Sequence, residues 1–478
     1  MRPLRALIAS SLGVAVVLSS VTATAGAAEA GAHKKKKINI DVWLADYPFP
    51  GYLDERKRLA EEFNRKYPRY QINVEARDYT ALPADVDRAV REGNPPAIAN
   101  YYYNVSQVAR DMKDRSGRPL FTSVQRAIGG RHQILNERVV VRDLLPQVRA
   151  YHTDRGDMFS FPVTSMTSVL YANTTLLKKA GVSKLPQTWQ ELEAACTKIA
   201  RMPNGPANCV TWPNHNWFFQ QAIAQQGGLL TNNNNGRTGR ATKVNLDSPQ
   251  ILNYVSWWKR MHQAGHYRYT GMPEDWGGNF ESFVTQQVAF TFDGANQGDT
   301  FAQMGAEFGF NVAAGSLPHP GRGKAVGNVN SGDSLFLRAG LDRETQDGAL
   351  AFMQFLNSPR NSAQWHKSTA YLPMTGQAVD LLQRERWFAQ HPAPKVALDQ
   401  IRKAPKSPAS LGVVVGAFDG IQNELVLAMD DVLLRRANPV ERFRLADARA
   451  QRLLDAYNAR CVGAGPRGPD CYRVGIWG

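Results

Sequence analysis

Residues 38–76 read INIDVWLADYPFPGYLDERKRLAEEFNRKYPRYQINVEA. At its start Ile38, Ile40 and Val42 alternate with Asn39, Asp41 and Trp43, which predicts a strand. Leu59, Phe63 and Tyr67 then recur every four residues within 53–67, the spacing of an amphipathic helix. Residues 70–76, around Ile72 and Val74, read as a second strand, and residues 96–102 as a third. Strand, helix, strand at this spacing is a βαβ unit, so the sheet is expected to be parallel and the class α/β.

The same alternation of elements returns further on. Val169, Leu170 and Tyr171 read as a strand, and residues 288–292 and 308–314 as two more. Thr188 followed by Glu191 is a capping box that opens a helix. Asp247-Ser248-Pro249 starts another, running to about His262. Phe280 and Phe283 fall on a helix, residues 349–356 form a buried helix, and residues 425–434 a last one. Residues 232–235 are four asparagines followed by Gly236, which reads as a polar surface loop.

With 478 residues, the chain is long enough for two or three domains or two large lobes. Hydrophobic residues at 43% and charged residues at 21% exclude a disordered or collagen-like chain. The formal charge of +15 raises the question of anionic partners. Two of those charges, Arg2 and Arg5, belong to a basic start before the apolar run 6–21 and the A-x-A sites at 23–27. Residues 1–27 therefore read as a secretory signal peptide, followed by a basic tail, 28–37, that carries Lys34 to Lys37. No later stretch is apolar enough to span a bilayer, and no Cys lies near the cleavage site to accept a lipid. The mature protein is expected to be exported, periplasmic or extracellular. Its four cysteines fall into two local pairs. Of the three possible pairings, proximity favours Cys196–Cys209 and Cys461–Cys471, with zinc as the rival reading.

Catalytic signatures are weak. His262 and His266 have metalloprotease spacing, but Gln263 stands where the general base belongs and Gly265 marks a helix end. Gly332-Asp333-Ser334-Leu335 spells an esterase block, yet no D-x-x-H follows to supply the base. No G-x-S-x-G, P-loop or G-x-G-x-x-G is present. The basic residues are spread along the chain and match no nucleic-acid motif, so no nucleic-acid partner is expected.

Residues 365–375, WHKSTAYLPMT, resemble the W-H-x-x-T-G-Y-L-P-x-T segment of periplasmic solute-binding proteins of ABC importers, in the sn-glycerol-3-phosphate-binding branch. Residues 92–98 (EGNPPAI), Phe161-Pro162 through Val169-Leu170-Tyr171-Ala172-Asn173, residues 178–181 (KKAG) and 188–192 (TWQEL) match in the same order. The resemblance covers about residues 38–440. It implies two α/β lobes joined at a hinge over a ligand cleft, with the chain crossing near 164–166, 330–332 and 372–375. It also implies an N-terminal lobe of 38–163 and 333–372 and a C-terminal lobe of 164–332 and 373–478. Such a protein is a non-enzymatic, monomeric carrier that takes a small solute to an ABC permease, without cofactor or metal.

Carried over residue by residue, the resemblance assigns ligand contact to Tyr79, Trp189 and Tyr371, and close backbone approach of ligand to Gly332. Departures from the branch fall at Tyr103 (Glu in the branch), Met166 and Gly294 (Ser) and Gln422 (the phosphate-gripping Arg). Gln offers neutral hydrogen bonds where Arg offers a charged fork. Those changes point to a less charged, larger, polyhydroxylated ligand, a sugar or a glycerophosphate-type solute. On that ground Asp46, Trp217, Trp276 and Asp293 join the ligand-binding candidates, since sugar faces stack on rings and carboxylates bind hydroxyls, and Tyr103, Asp333 and Gln422 complete the set. Two other readings stay open. One is an exported enzyme that reuses the cleft with Asp293 or Asp333 as acid or base. The other is an envelope-binding protein working through Lys34 to Lys37.

Overall fold

A computed structural model describes residues 36–47, 51–154, 156–321, 327–405, 407–463 and 467–474. The expected signal peptide, Lys34 and Lys35 lie outside the described residues. The strands of the two main sheets are β1 (Ile38–Asp46), β2 (Tyr70–Asp78), β3 (Ile98–Tyr102), β4 (Phe121–Thr122), β5 (Phe161–Pro162), β6 (Ser168–Asn173), β7 (Val210–Thr211), β8 (Tyr267–Arg268), β9 (Phe290–Gly294), β10 (Val312–Ser316) and β11 (Asp333–Arg338). The first sheet runs β2-β1-β3-β11-β4, with β5 also on β11. In it β1 pairs parallel with β2 and β3, as the βαβ reading requires, and β11 returns antiparallel against β3. The second sheet runs β8-β7-β9-β6-β10, with β6 antiparallel to both its neighbours.

The principal helices are α1 (Tyr52–Lys66), α2 (Trp189–Ile199), α3 (Asn216–Gln225), α4 (Pro249–Gln263), α5 (Trp276–Val284), α6 (Gly298–Glu307), α7 (Arg343–Leu356), α8 (Pro359–Thr369), α9 (Pro392–Lys403), α10 (Phe418–Leu434) and α11 (Pro439–Arg460). The apolar stripe of α1 buries Leu59 and Phe63, and Phe63 meets Phe352 and Phe355 of α7 at 5.4 and 5.6 Å. Thr188 and Glu191 close the predicted capping box of α2, and Ser248 caps α4. The second sheet buries a stack of rings: Trp189 lies 4.7 Å from Trp257, Trp257 5.5 Å from Trp212, and Trp212 4.8 Å from Phe292.

Three chain segments between the sheets are laced together. Val163 N donates to Asp333 O at 3.0 Å, Met166 and Ser331 exchange both backbone bonds at 2.9 Å, and Leu372 N donates to Ser165 O at 2.8 Å. Gly332 sits at φ +147°, where a Cβ would collide with the Thr164 carbonyl. The glycine is needed for this backbone crossing, a different reason from the ligand approach expected of it. The helix at Gly376–Arg384, which the resemblance places in the second lobe, donates two hydrogen bonds to Asp143, from Gly376 N and Gln377 N, and packs on α8, on the side of the first sheet. The chain reaches the second sheet only with α9, which packs on β10.

Two local expectations are corrected. The strand predicted over 308–314 begins at Val312, because the helix ladder continues through Phe308, whose N–H donates to Met304 O at 2.8 Å. Asn233, Asn234 and Asn235 form a left-handed turn, with φ of 53°, 52° and 60°, which Asn tolerates better than most residues. Asn233 and Asn234 are exposed, as a surface loop requires, but Asn235 is buried and its Oδ1 accepts from Leu230 N and Thr231 N, which anchors the turn.

Both expected disulfides are formed, Cys196–Cys209 and Cys461–Cys471. The second returns the chain after α11 so that Arg467 donates to the Asp111 carbonyl and Tyr472 is buried. Asp111 also accepts from Arg240 at 2.9 Å and from Tyr457 of α11 at 3.0 Å, which ties this end of the chain to the segment after β3.

Candidate functional site

A cavity of about 470 Å³ opens where the residues after β3 face the N-termini of α3 and α10 and the loop before α5. Tyr103, Asn104, His215, Glu274, Phe418 and Asp419 line it, as does the exposed Arg473. Among these, only Tyr103 is a candidate from the sequence. Its ring meets Tyr102 at 5.0 Å, Phe418 at 5.4 Å and Trp217 at 5.6 Å, and its hydroxyl accepts from Gln220 Nε2 at 2.9 Å.

Local structure fixes each polar group. His215 is the N-cap of α3, its Nδ1 accepting from Trp217 N at 3.0 Å. Burial pushes its pKa down to about 3, so the ring is neutral and carries its proton on Nε2. That nitrogen is 3.9 Å from Glu274 Oε1. Burial pushes Glu274 up to about 7, with the neighbouring Asp419 carboxylate adding to the rise. Glu274 also has φ of +57°, a backbone conformation that is uncommon for a residue other than Gly. Asn104 Nδ2 donates to Asp419 Oδ1 at 2.9 Å. Asn104 Oδ1 is buried and has no hydrogen-bond partner among the described residues. The same holds for Oε1 of Gln422, one turn along α10 from Phe418.

Glu274 therefore carries a stability cost at neutral pH. In the folded chain it holds its proton up to about 7, while the unfolded chain releases it near the ordinary carboxylate value. Its contribution is fully present below that ordinary value and is lost as pH rises through 7. Glu274→Gln is expected to melt about 2–4 °C above wild type at pH 8 and level with it at pH 5. Equal melting temperatures at pH 8, measured by calorimetry, would show that the carboxylate is not buried at a cost.

The other sequence candidates fall into distinct places. Trp217 and Trp276 back the cavity: Trp217 Nε1 donates to Ser168 Oγ, and the Trp276 ring lies 5.1 Å from His215. Tyr79 and Tyr371 belong to a tyrosine cluster joined to the cavity through Tyr102. In it Tyr47 lies 5.6 Å from Tyr79 and 5.7 Å from Tyr102, and Tyr52 lies 6.4 Å from Tyr371. The Tyr371 ring is 3% exposed and stacks on Trp365 at 6.3 Å. Asp46 is exposed at the end of β1.

Trp189 is core. It is stacked on Trp257, and its Nε1 donates to Pro318 O at 3.1 Å, so it is not brought to the cavity. Asp333 is fully buried and accepts from Tyr52, Asn100 and Thr164, a structural placement that leaves it no surface for substrate. Asp293 is buried at the end of β9, where burial pushes it up to about 7 and its Oδ1 accepts from Gly294 N. No group of three or more His, Cys, Asp or Glu able to hold a metal occurs among the described residues.

Residues 58–395 match the profile of the bacterial extracellular solute-binding proteins. The chain belongs to this family. It is 27% identical over 409 residues to the sn-glycerol-3-phosphate-binding periplasmic protein UgpB of Salmonella typhimurium, covering 83% of this chain and 88% of that one. It is 28% identical over 410 residues to UgpB of Escherichia coli K12, with the same coverages. Among solved structures, the cyclic α-maltosyl-1,6-maltose binding protein of Arthrobacter globiformis superposes with a TM-score of 0.70 at 17% identity, over 88% of this chain and all of that one. UgpB of Mycobacterium tuberculosis in complex with glycerophosphocholine does so with a TM-score of 0.67 at 20% identity, over 88% and 99%. The fold is therefore the two-lobe binding-protein fold of this family, and none of the described helices is long and apolar enough to cross a membrane.

Proposed function

We propose that this solute-binding protein takes a sugar or glycerophosphate-type solute into the cavity beside Tyr103 and hands it to the permease of an ABC importer, without chemistry on the solute. The observation that carries this reading is the cavity's position. Its walls come from the segment after β3 of the first sheet on one side and from the start of α3, the loop before α5 and α10 on the other. The three laced crossing segments, near 164–166, 330–332 and 372–375, would be the hinge about which the lobes close. The named relatives and structural neighbours, which bind glycerophosphate and sugar solutes, support the ligand class. Export by a cleaved leader and a monomeric state belong to the same proposal.

A thermal-shift screen of sugars and glycerophosphodiesters tests it, since a ligand that binds only the folded form raises the melting temperature. Small-angle scattering should show a smaller radius of gyration with the ligand found. Tyr103→Ala should weaken that ligand by about 1–3 kcal/mol, as for a buried aromatic contact. Tyr371→Ala should lower stability and leave the affinity of the folded fraction nearly unchanged. Turnover of the ligand, or an unchanged radius on tight binding, would defeat the reading.

A further inference from the structure

We propose that residues 467–474, closed onto α11 by the Cys461–Cys471 disulfide, are a latch between the lobes that limits how far the solute cavity opens. The inference rests on the reading of the lobes as closing about the crossing segments, and it adds a device that sets their rest position. α11 lies on the side of the second sheet: it packs on α10 and α4, α4 packs on β8, and Phe443 of α11 lies 6.1 Å from Phe219 of α3. The chain then leaves that side. Pro469–Tyr472 forms a single 3₁₀ turn, packed both on α11 and on the helix Leu82–Glu92, the crossover between β2 and β3 of the first sheet. Tyr472 is 5% exposed. Burial raises the pKa of Tyr101 on β3, and the neighbouring Tyr472 adds to the rise, which places the Tyr472 hydroxyl beside the first sheet. Arg467 donates to the Asp111 carbonyl on the same side.

The disulfide sets how tight this tie is. The Cα atoms of Cys461 and Cys471 are 5.4 Å apart, and the Tyr472 anchor follows directly. Without the bond, the two cysteines are joined only by the chain over a sequence separation of 10. Ten residues can stretch to roughly 33 Å. An opening of several ångströms at this point is therefore resisted by the bonded strap and accommodated by the unbonded one. The other disulfide has no such reach, because Cys196 lies in α2 and Cys209 just before β7, both about the second sheet. Two noncovalent ties stand beside the latch. Asp111 accepts from Arg240 at 2.9 Å and from Tyr457 of α11 at 3.0 Å, so the residue that anchors Arg467 is also held from the other side. The residues after the Tyr472 anchor, Arg473 and Val474, line the cavity. The latch thus fixes part of the wall that a solute meets.

Small-angle scattering and amide hydrogen exchange on the full mature chain without solute test this. Cys461→Ser/Cys471→Ser should have a larger radius of gyration than wild type, and the amides of residues 103–111 should exchange about tenfold or more faster. Tyr472→Ala keeps the disulfide but removes the anchor, and should do the same. Cys196→Ser/Cys209→Ser, read on its folded fraction, should change neither. Melting curves establish the temperature at which each variant is folded and measured. Glycerophosphocholine and maltose are the probes for calorimetric titration. Whichever binds wild type should bind the two latch variants about three- to tenfold more weakly, because less of the free chain is in the binding-competent form. Equal solute-free radii and exchange in wild type and both latch variants overturn the proposal. So does an equal change in Cys196→Ser/Cys209→Ser, which would be general loosening. If wild type contracts with a probe while the latch variants match it without one, the latch falls and the solute-binding reading stands. If neither probe binds wild type, that reading loses its support, and the solute-free comparison still decides the latch.

Discussion

Asp333→Ala should cost about 3–5 kcal/mol of folding stability, because it strips the acceptor from a buried polar cluster. The Asp333 carboxylate is fully buried and accepts from Tyr52 Oη, Asn100 Nδ2 and Thr164 Oγ1, three donors from three different segments. Its own N–H donates to Thr164 Oγ1 at 2.7 Å, and its carbonyl accepts from Val163 N. Alanine would leave three donors buried without partners, each at about 1–3 kcal/mol, though relaxation prevents full addition. Asp333→Asn keeps one acceptor oxygen and the shape, so its loss should be smaller. Denaturant melts should show the midpoint falling with an unchanged slope, the sign of a stability change alone. A loss under about 1 kcal/mol would mean that water replaces the carboxylate, and the crossing would then be looser than the hydrogen bonds indicate.

The contrast with Asp293 bears on the enzymatic alternative, in which either aspartate would serve as acid or base. Asp293 is held up near 7 by burial, whereas Asp333 is locked to three donors with no surface for a substrate. From the sequence the two are alike in offering a lone carboxylate as acid or base. Only the packing tells them apart, because burial and donor count are properties of residues far apart in the chain. Tyr52 and Thr164 lie 281 and 169 positions from Asp333.

Local physics is legible in the sequence, and convergence is not. The alternation at Ile38, Ile40 and Val42, the capping box at Thr188 and Glu191, and the short Cys spacings each encode structure within a dozen or so residues, and each appears as read. The cavity residues His215, Glu274 and Asp419 carry no signal of their own in the sequence, although their neighbours Trp217, Trp276 and Gln422 are candidates there. Rings draw the eye in a sequence. One carboxylate among 42 Asp and Glu becomes distinctive only when burial raises it. Gly332 reads as room for ligand, but its φ and the nearby Thr164 carbonyl show room for backbone. The Tyr371 segment, the most specific of the matched motifs, owes its aromatic residues to packing: Trp365 lies on Tyr52 and under the Arg56 guanidinium, 3.7 Å from the ring centroid.

Of the ten tryptophans, Trp189, Trp212, Trp217, Trp257 and Trp258 are buried in the core about the second sheet. Trp212 is the centre of it. It is fully buried on β7–α3, parallel within 3° to Trp257, within 17° of Phe292, and 4.3 and 5.1 Å from Tyr267 and Trp258. Its carbonyl also accepts from Tyr267 Oη at 2.7 Å. Trp212→Ala should cost at least the upper part of the about 3–5 kcal/mol range for an aromatic truncation, since four ring contacts are lost together and the surrounding rings are too large to collapse into the space. Trp212→Phe keeps the stacking on Phe292 and should lose roughly half as much. Trp276→Ala, a half-buried ring behind His215, should cost less than about 2 kcal/mol and instead weaken ligand binding. Denaturant melts on the three variants, beside calorimetric titration of the folded fraction, separate a core tryptophan from a site tryptophan. If Trp212→Ala costs no more than Trp276→Ala, the stack is not what holds the second sheet.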